Sequence, residues 1–136
     1  MRERPEYHYR QSGVIPFRKR KGKLELLMVT STNKKRWIIP KGVKELHLSS
    51  RESAAKEAWE EAGIRGKISR TAIGTYRYRK WGGICTVKVF VMEVREVLKH
   101  WEENFRDREW FSHREALRRA EGKGLQQIMR QLPEYL

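Results

Sequence analysis

Cysteine occurs once in the 136 residues, at Cys85, so neither an intramolecular disulfide nor a cysteine-rich metal site can form. Cys85 lies in an apolar stretch and reads as a small core residue. The four histidines are scattered without the spacing of a zinc site. No Ser-His-Asp or Cys-His arrangement stands out, and internal repeats and low-complexity segments are missing. No apolar run approaches the roughly 18 residues a membrane span needs, and charged Met1–Arg10 lacks an apolar signal-peptide core. A soluble, cytoplasmic protein with no membrane partner is expected. Acidic residues are scarce: 17 Asp+Glu against 31 Lys+Arg leave a net charge of +14. A mixed surface gives solubility at lower net charge, so this excess implies polyanionic partners: phosphates, nucleic acid or an acidic surface. The length suits one domain over residues 1–136, with residues 1–11 as a loose arm or an edge segment.

What is present is concentrated between Gly42 and Ile64. Ser49 followed three residues later by Glu52 is a capping box that starts a helix, and Gly63 suits its left-handed stop. At about 100° per residue, Ala55, Ala58, Trp59 and Ala62 share one face, and Glu57, Glu60 and Glu61 share the opposite one. Like charges at i and i+4 destabilise a helix by roughly 0.2–0.5 kcal/mol per pair. Such a trio persists if solvated, paired with cations, or bound to a metal, and clustered oxygen ligands suit Mg²⁺ or Mn²⁺. For the triplet alone the solvated face is the better reading, since short motifs recur by chance.

The surroundings change that balance. The stretch resembles the Nudix box, G-x5-E-x7-R-E-U-x-E-E-x-G-U with U apolar. Gly42 fits its first glycine, and Glu57, Ala58, Glu60, Glu61, Gly63 and Ile64 fit its second half. Leu48 stands where the family has Glu, and Lys56 where it has Arg. In the family those two side chains help hold the loop against the helix; Glu45, three residues away, is the substitute at hand. LLMVTST, RWIIPKG, EAWEEAGIRGKI and EVLKHWEENFRDREWFS extend the likeness over roughly residues 12–120. They resemble the branch that hydrolyses diphosphoinositol polyphosphates and diadenosine polyphosphates.

The resemblance implies an α+β Nudix fold, a mixed curved β-sheet sandwiched between α-helices. It also implies metal-dependent cleavage of a diphosphate bond in a small polyphosphate, with Mg²⁺ or Mn²⁺ held by Glu57, Glu60 and Glu61 and by the carbonyl of Gly42. Glu60 and Glu61 are the leading ligands; Glu57 is either a third ligand or the base. Position and charge, rather than any motif, nominate Arg10, Arg18, Lys41, Arg77 and Lys80 as phosphate contacts. Alternatives within the family are nucleoside triphosphates, nucleotide sugars and RNA 5′ ends. Outside catalysis, the +14 charge suits a silent module that binds RNA or polyphosphate.

Along the chain, strands are expected at 12–17, at 24–30 (buried on both faces) and at 37–42, with basic loops between them. A hairpin is expected around Gly82-Gly83, pairing Trp81 with Ile84 and setting Arg77 against Lys88. That juxtaposition of like charges hints at an anion between them. Residues 97–105 read as a loop or short helical turn in which Glu102 and Glu103 are further carboxylates. A strand at 108–111, a helix capped by Ser112 and a C-terminal helix carrying Leu125, Ile128, Met129 and Leu132 complete the chain.

Overall fold

The structure, a computed structural model, describes residues 7–136. Its strands are β1 (Tyr7–Arg20), β2 (Lys23–Thr30), β3 (Trp37–Ile38), β4 (Lys41–Val43), β5 (Ile64–Ile68), β6 (Gly74–Lys80), β7 (Gly83–Val97) and β8 (Arg108–Ser112). All eight join one mixed sheet, in which β1 runs parallel to β7 and antiparallel to β2 and β4. Helix α1 (Ser50–Glu57) lies on one face; α2 (His113–Arg119) and α3 (Lys123–Gln131) lie on the other.

Alternation along the strands sorts side chains between the two faces. Ile15, Leu26, Met28, Val87 and Val89 pack with Leu125, Ile128 and Met129 of α3. Val14, Leu27, Val29, Phe90 and Met92 pack with Ala54, Ala58 and Ala62. Strand β2 is therefore buried on both faces, as its apolar run predicts, and Cys85 is a core residue. Each large side chain so buried contributes about 1.5–3 kcal/mol. Three alanines four residues apart allow α1 to lie close against the sheet. Ala54 holds the buried place expected for Ala55, and Trp59 is only partly buried, with the Arg65 guanidinium 3.9 Å from its ring centroid.

The structure corrects four expectations. Tyr7 to Gln11 belong to β1, paired with β7, rather than to a loose arm; residues 1–6 lie outside the described residues. The expected strand 37–42 is two short strands broken at Ile39-Pro40: β3 pairs with β2, and the chain then crosses so that β4 pairs with β1. The helix is not α-helical throughout: Ala58–Ala62 widen into a π turn, and Gly63 closes it at φ 63°, ψ 40°. Finally, Trp81-Gly82 forms the hairpin loop at φ 55° and 67°, so Lys80 pairs with Gly83 and Arg77 with Thr86. Lys88 faces Thr75, and the expected clash with Arg77 disappears. Tyr76 and Tyr78 nevertheless share their face with Cys85 and Val87, because the slip is an even number of residues.

No helix among the described residues is long and apolar enough to cross a membrane.

Candidate active site

A cavity of about 610 Å³ opens where the N-terminal half of β1, β4, the α1–π turn and the β6–β7 tip meet. It gathers Gln11, Lys41, Gly42, Glu57, Glu61 and Lys80 from segments far apart in sequence, with Arg36, Trp81, Glu103 and Arg106 around them.

The acidic side is built from the helix. Ser49 accepts from the Glu52 N–H and Glu52 accepts from the Ser49 N–H, fixing the first turn as the capping box predicts. Eight residues on, the Glu57 carboxylate lies against Gly42, occupying the space that any Cβ there would need. Glu61 follows at i+4. It is 5% exposed, hydrogen-bonds Glu57, and accepts from the Lys41 N–H at 3.4 Å. Burial, reinforced by the hydrogen bond to Glu57, pushes the Glu61 carboxyl up to about 9. Burial also raises Glu57, although the hydrogen bond from Glu61 opposes the rise. Burial thus favours one proton shared between the two carboxylates.

The far end of this turn is clamped. The carbonyls that end a helix lack intrahelical donors; here Trp101 Nε1 donates to the Glu61 carbonyl at 2.8 Å and Arg108 Nη1 to the Ala62 carbonyl at 2.5 Å. The Arg108 guanidinium lies 3.8 Å from the Trp101 ring centroid and also bonds the Leu98 carbonyl. Trp101 packs where a side chain at residue 63 would stand, so Gly63 is required for contact as well as for conformation.

Glu60, expected as a leading ligand, does not line the cavity. Its carboxylate is 3.3 Å from Lys56 Nζ, and the same ammonium binds Glu45. Glu45 thereby supplies the tie between loop and helix that Leu48 cannot. Among the described residues no three His, Cys, Asp or Glu side chains converge as a ready metal cluster. The Glu57–Glu61 pair, with Glu60 beside it on Lys56, still fits a hard divalent cation. It offers only oxygen donors, and the shared proton marks where a cation would compete.

The basic side draws on the nominated phosphate contacts unevenly. Lys41 and Lys80 line the cavity. Burial lowers the Lys41 pKa, with Glu61 opposing, and its ammonium sits 5.1 Å from the Tyr78 ring centroid. Arg10, Arg18 and Arg77 are not brought to the cavity. Arg18 is instead paired with Glu25 at 2.7 Å and stacked on Trp110 at 4.1 Å. Sequence reasoning missed Arg36 and Arg106. Arg106 is anchored by Glu103 at 2.9 Å and the Thr30 carbonyl at 2.8 Å; the tract EVLKHWEENFRDREWFS was the only signal for it.

Comparison with known proteins matches the family described as NUDIX domain over residues 8–132. The chain is 33% identical over 129 residues to "Nudix hydrolase 13, mitochondrial" of Arabidopsis thaliana, covering 78% of this chain and 64% of that protein. It therefore spans a little under two thirds of that relative's length. It is 32% identical over 117 residues to "Diphosphoinositol polyphosphate phosphohydrolase 3-alpha" of Mus musculus, covering 84% of this chain and 70% of that one. Among solved structures, a C. elegans Ap4A hydrolase superposes with a TM-score of 0.80 at 21% identity, covering 95% and 98% of the two chains; this likeness concerns the fold.

Proposed function

From the premise that the chain belongs to the Nudix hydrolase family, we propose that it hydrolyses a diphosphate bond in a polyphosphorylated small molecule, a diadenosine polyphosphate or a diphosphoinositol polyphosphate. The observation that carries this reading is one cavity with a buried acid pair, Glu57–Glu61, against Lys41, Lys80, Arg36 and Arg106. A cation and a polyphosphate bound together would meet both signs of charge in this one cavity. Support for the substrate class comes from relatives named for diphosphoinositol polyphosphates and for Ap4A.

Lys41 and Lys80 orient the phosphates and draw off their charge, with Arg36 at the mouth and Arg106 holding Glu103 in place. Glu60, Glu61 and the Gly42 carbonyl would hold Mg²⁺ or Mn²⁺, the ions that Nudix enzymes generally use. When bound, such a cation neutralises phosphate charge and makes water more acidic. Glu57, whose carboxylate lies against Gly42 and hydrogen-bonds Glu61, takes the proton of the attacking water. Positioning and electrostatics do the rest.

The test is Mg²⁺-dependent product release from a diadenosine polyphosphate, a diphosphoinositol polyphosphate, a nucleoside triphosphate, a nucleotide sugar and a triphosphorylated RNA. Glu61→Gln should abolish release while the protein stays folded. Unchanged turnover in that variant removes the assignment of the site.

A further inference from the structure

Trp81 stands where turn chemistry asks for something else. Residues 81 and 82 take the two left-handed conformations of a primed hairpin turn, which favours Asn, Asp or Gly. A bulky residue at positive φ is an outlier. Trp81 is also 52% exposed and lines the same cavity as Glu57, Glu61 and Lys41. Single exposed apolar residues are ordinary, but this one is braced. The Tyr9 ring meets it edge-on, centroids 5.3 Å apart at 74°, and the Tyr9 hydroxyl donates to the Trp81 carbonyl at 3.4 Å. Gly83, next in the chain after the loop, lies against the Tyr7 backbone with no room for a Cβ, which pins the tip to the start of β1. Lys80 Nζ is 4.7 Å from the indole centroid, so positive charge stands beside the aromatic surface.

We propose that Trp81, braced by Tyr9, is a stacking platform for a nucleobase of the substrate, and that the cavity accordingly takes a nucleotide anhydride rather than a diphosphoinositol polyphosphate. This rests on the reaction proposed above and narrows its substrate. An inositol ring carries only hydroxyls and phosphates and offers no π-face. A nucleobase has one, and stacking it on an aromatic side chain strengthens binding on the order of tenfold or more. With the base on Trp81, the attached phosphates run past Lys80 and Lys41 toward Glu57 and Glu61 inside a continuous cavity of about 610 Å³, a size ordinary for a small-ligand site. The base belongs either to a free dinucleotide or to the 5′ end of an RNA; both present the same chemistry.

Asn suits the turn, so Trp81→Asn removes the ring without harming the hairpin, and Trp81→Tyr restores a smaller platform. Two readouts are needed: AMP affinity by calorimetry, with ribose 5-phosphate as the base-free control, and KM for diadenosine tetraphosphate, a 5′-triphosphorylated oligoribonucleotide and a diphosphoinositol pentakisphosphate. The expected result is a loss of AMP affinity and a rise in KM on the order of tenfold for the nucleotide substrates in Trp81→Asn. The base-free substrate and the control are unaffected, and Trp81→Tyr recovers most of the loss. Whichever nucleotide substrate shows the dependence identifies the source of the base. AMP affinity unchanged in Trp81→Asn, or KM rising equally for the inositol substrate, overturns the platform. If wild-type protein turns over none of the substrates, the reaction is wrong, while loss of AMP affinity in Trp81→Asn still supports the platform.

Discussion

The two walls of the cavity are made by different means. The acidic wall comes from one helical segment: Glu57 and Glu61 stand four residues apart, and the segment that carries them is tied at one end by the Ser49–Glu52 box and at the other by Trp101 and Arg108. The basic wall comes from separate segments: Arg36 from a loop, Lys41 from β4, Lys80 from β6, and Arg106 from the stretch before β8. Bond breaking depends on position to within fractions of an ångström, and the rigid wall supplies that. Holding a polyanion needs charge nearby more than fixed geometry, and the assembled wall supplies that. The walls meet at two neighbours, Lys41 and Gly42, which makes this junction the place to separate their roles.

Gly42→Ala should give the largest effect. A Cβ at this position overlaps the Glu57 carboxylate, and Gly42 is not among the positive-φ glycines, so alanine suits the backbone. The expected outcome is a fall in kcat of about 100-fold, the upper end of what losing a supporting partner of a metal ligand produces, with a near-native melting temperature. Lys41→Met tests the other wall one residue away. It keeps the backbone N–H that meets Glu61 and removes only the ammonium. KM should rise roughly 10- to 100-fold, the equivalent of one charge-assisted hydrogen bond, with kcat held. If kcat falls as well, Lys41 belongs functionally to the acidic wall and the division fails.

A third test reads the acidic wall through stability. In the folded, metal-free protein Glu61 keeps its proton up to about 9, whereas in the unfolded chain it loses it near 4.5. Between those values the folded state binds more protons, so the stability this group contributes is present below about 4.5 and is lost as pH rises toward 9. Melting in the presence of a chelator should therefore fall by several °C from pH 5 to pH 9. Glu61→Gln should flatten the slope. A slope that persists in the variant would show that the pair is not its source.

The contrast between the walls also explains what the sequence discloses. The pairing of Glu57 with Glu61 was legible because they share one helix, and the Ser49–Glu52 box and the Gly63 stop are equally local; Glu60, expected beside them, does not line the cavity. The core was legible for the same reason, from the apolar run of β2 and the periodicity of α3. The basic wall was not. Among 31 Lys and Arg residues, charge alone cannot say which converge, so Arg18 was nominated although Glu25 and Trp110 occupy it, and Arg106 was passed over. The π turn was hidden because the 3.6-residue pattern persists through it, and Ala58 and Ala62 stay buried either way. The hairpin register failed at one residue, since nothing in Trp81 advertises a left-handed conformation.

The smallest effect comes from comparing the tips of the two hairpins. Lys21-Gly22 joins β1 to β2 with φ 51° and 76°; Trp81-Gly82 joins β6 to β7 with φ 55° and 67°. The backbones ask for the same residue and receive two different ones. Asn relieves either position, so Lys21→Asn and Trp81→Asn should each raise stability by up to about 1 kcal/mol, a few °C in melting. If conformation is all that matters at both tips, the two gains match. A smaller gain at 81, or a loss, would measure what the indole contributes by packing on Tyr9. Lys21, which does not line the cavity, should leave KM unchanged for every substrate. Equal gains in stability with unequal effects on KM would then mean that Trp81 is kept at its tip for what it binds, against the preference of the turn that carries it.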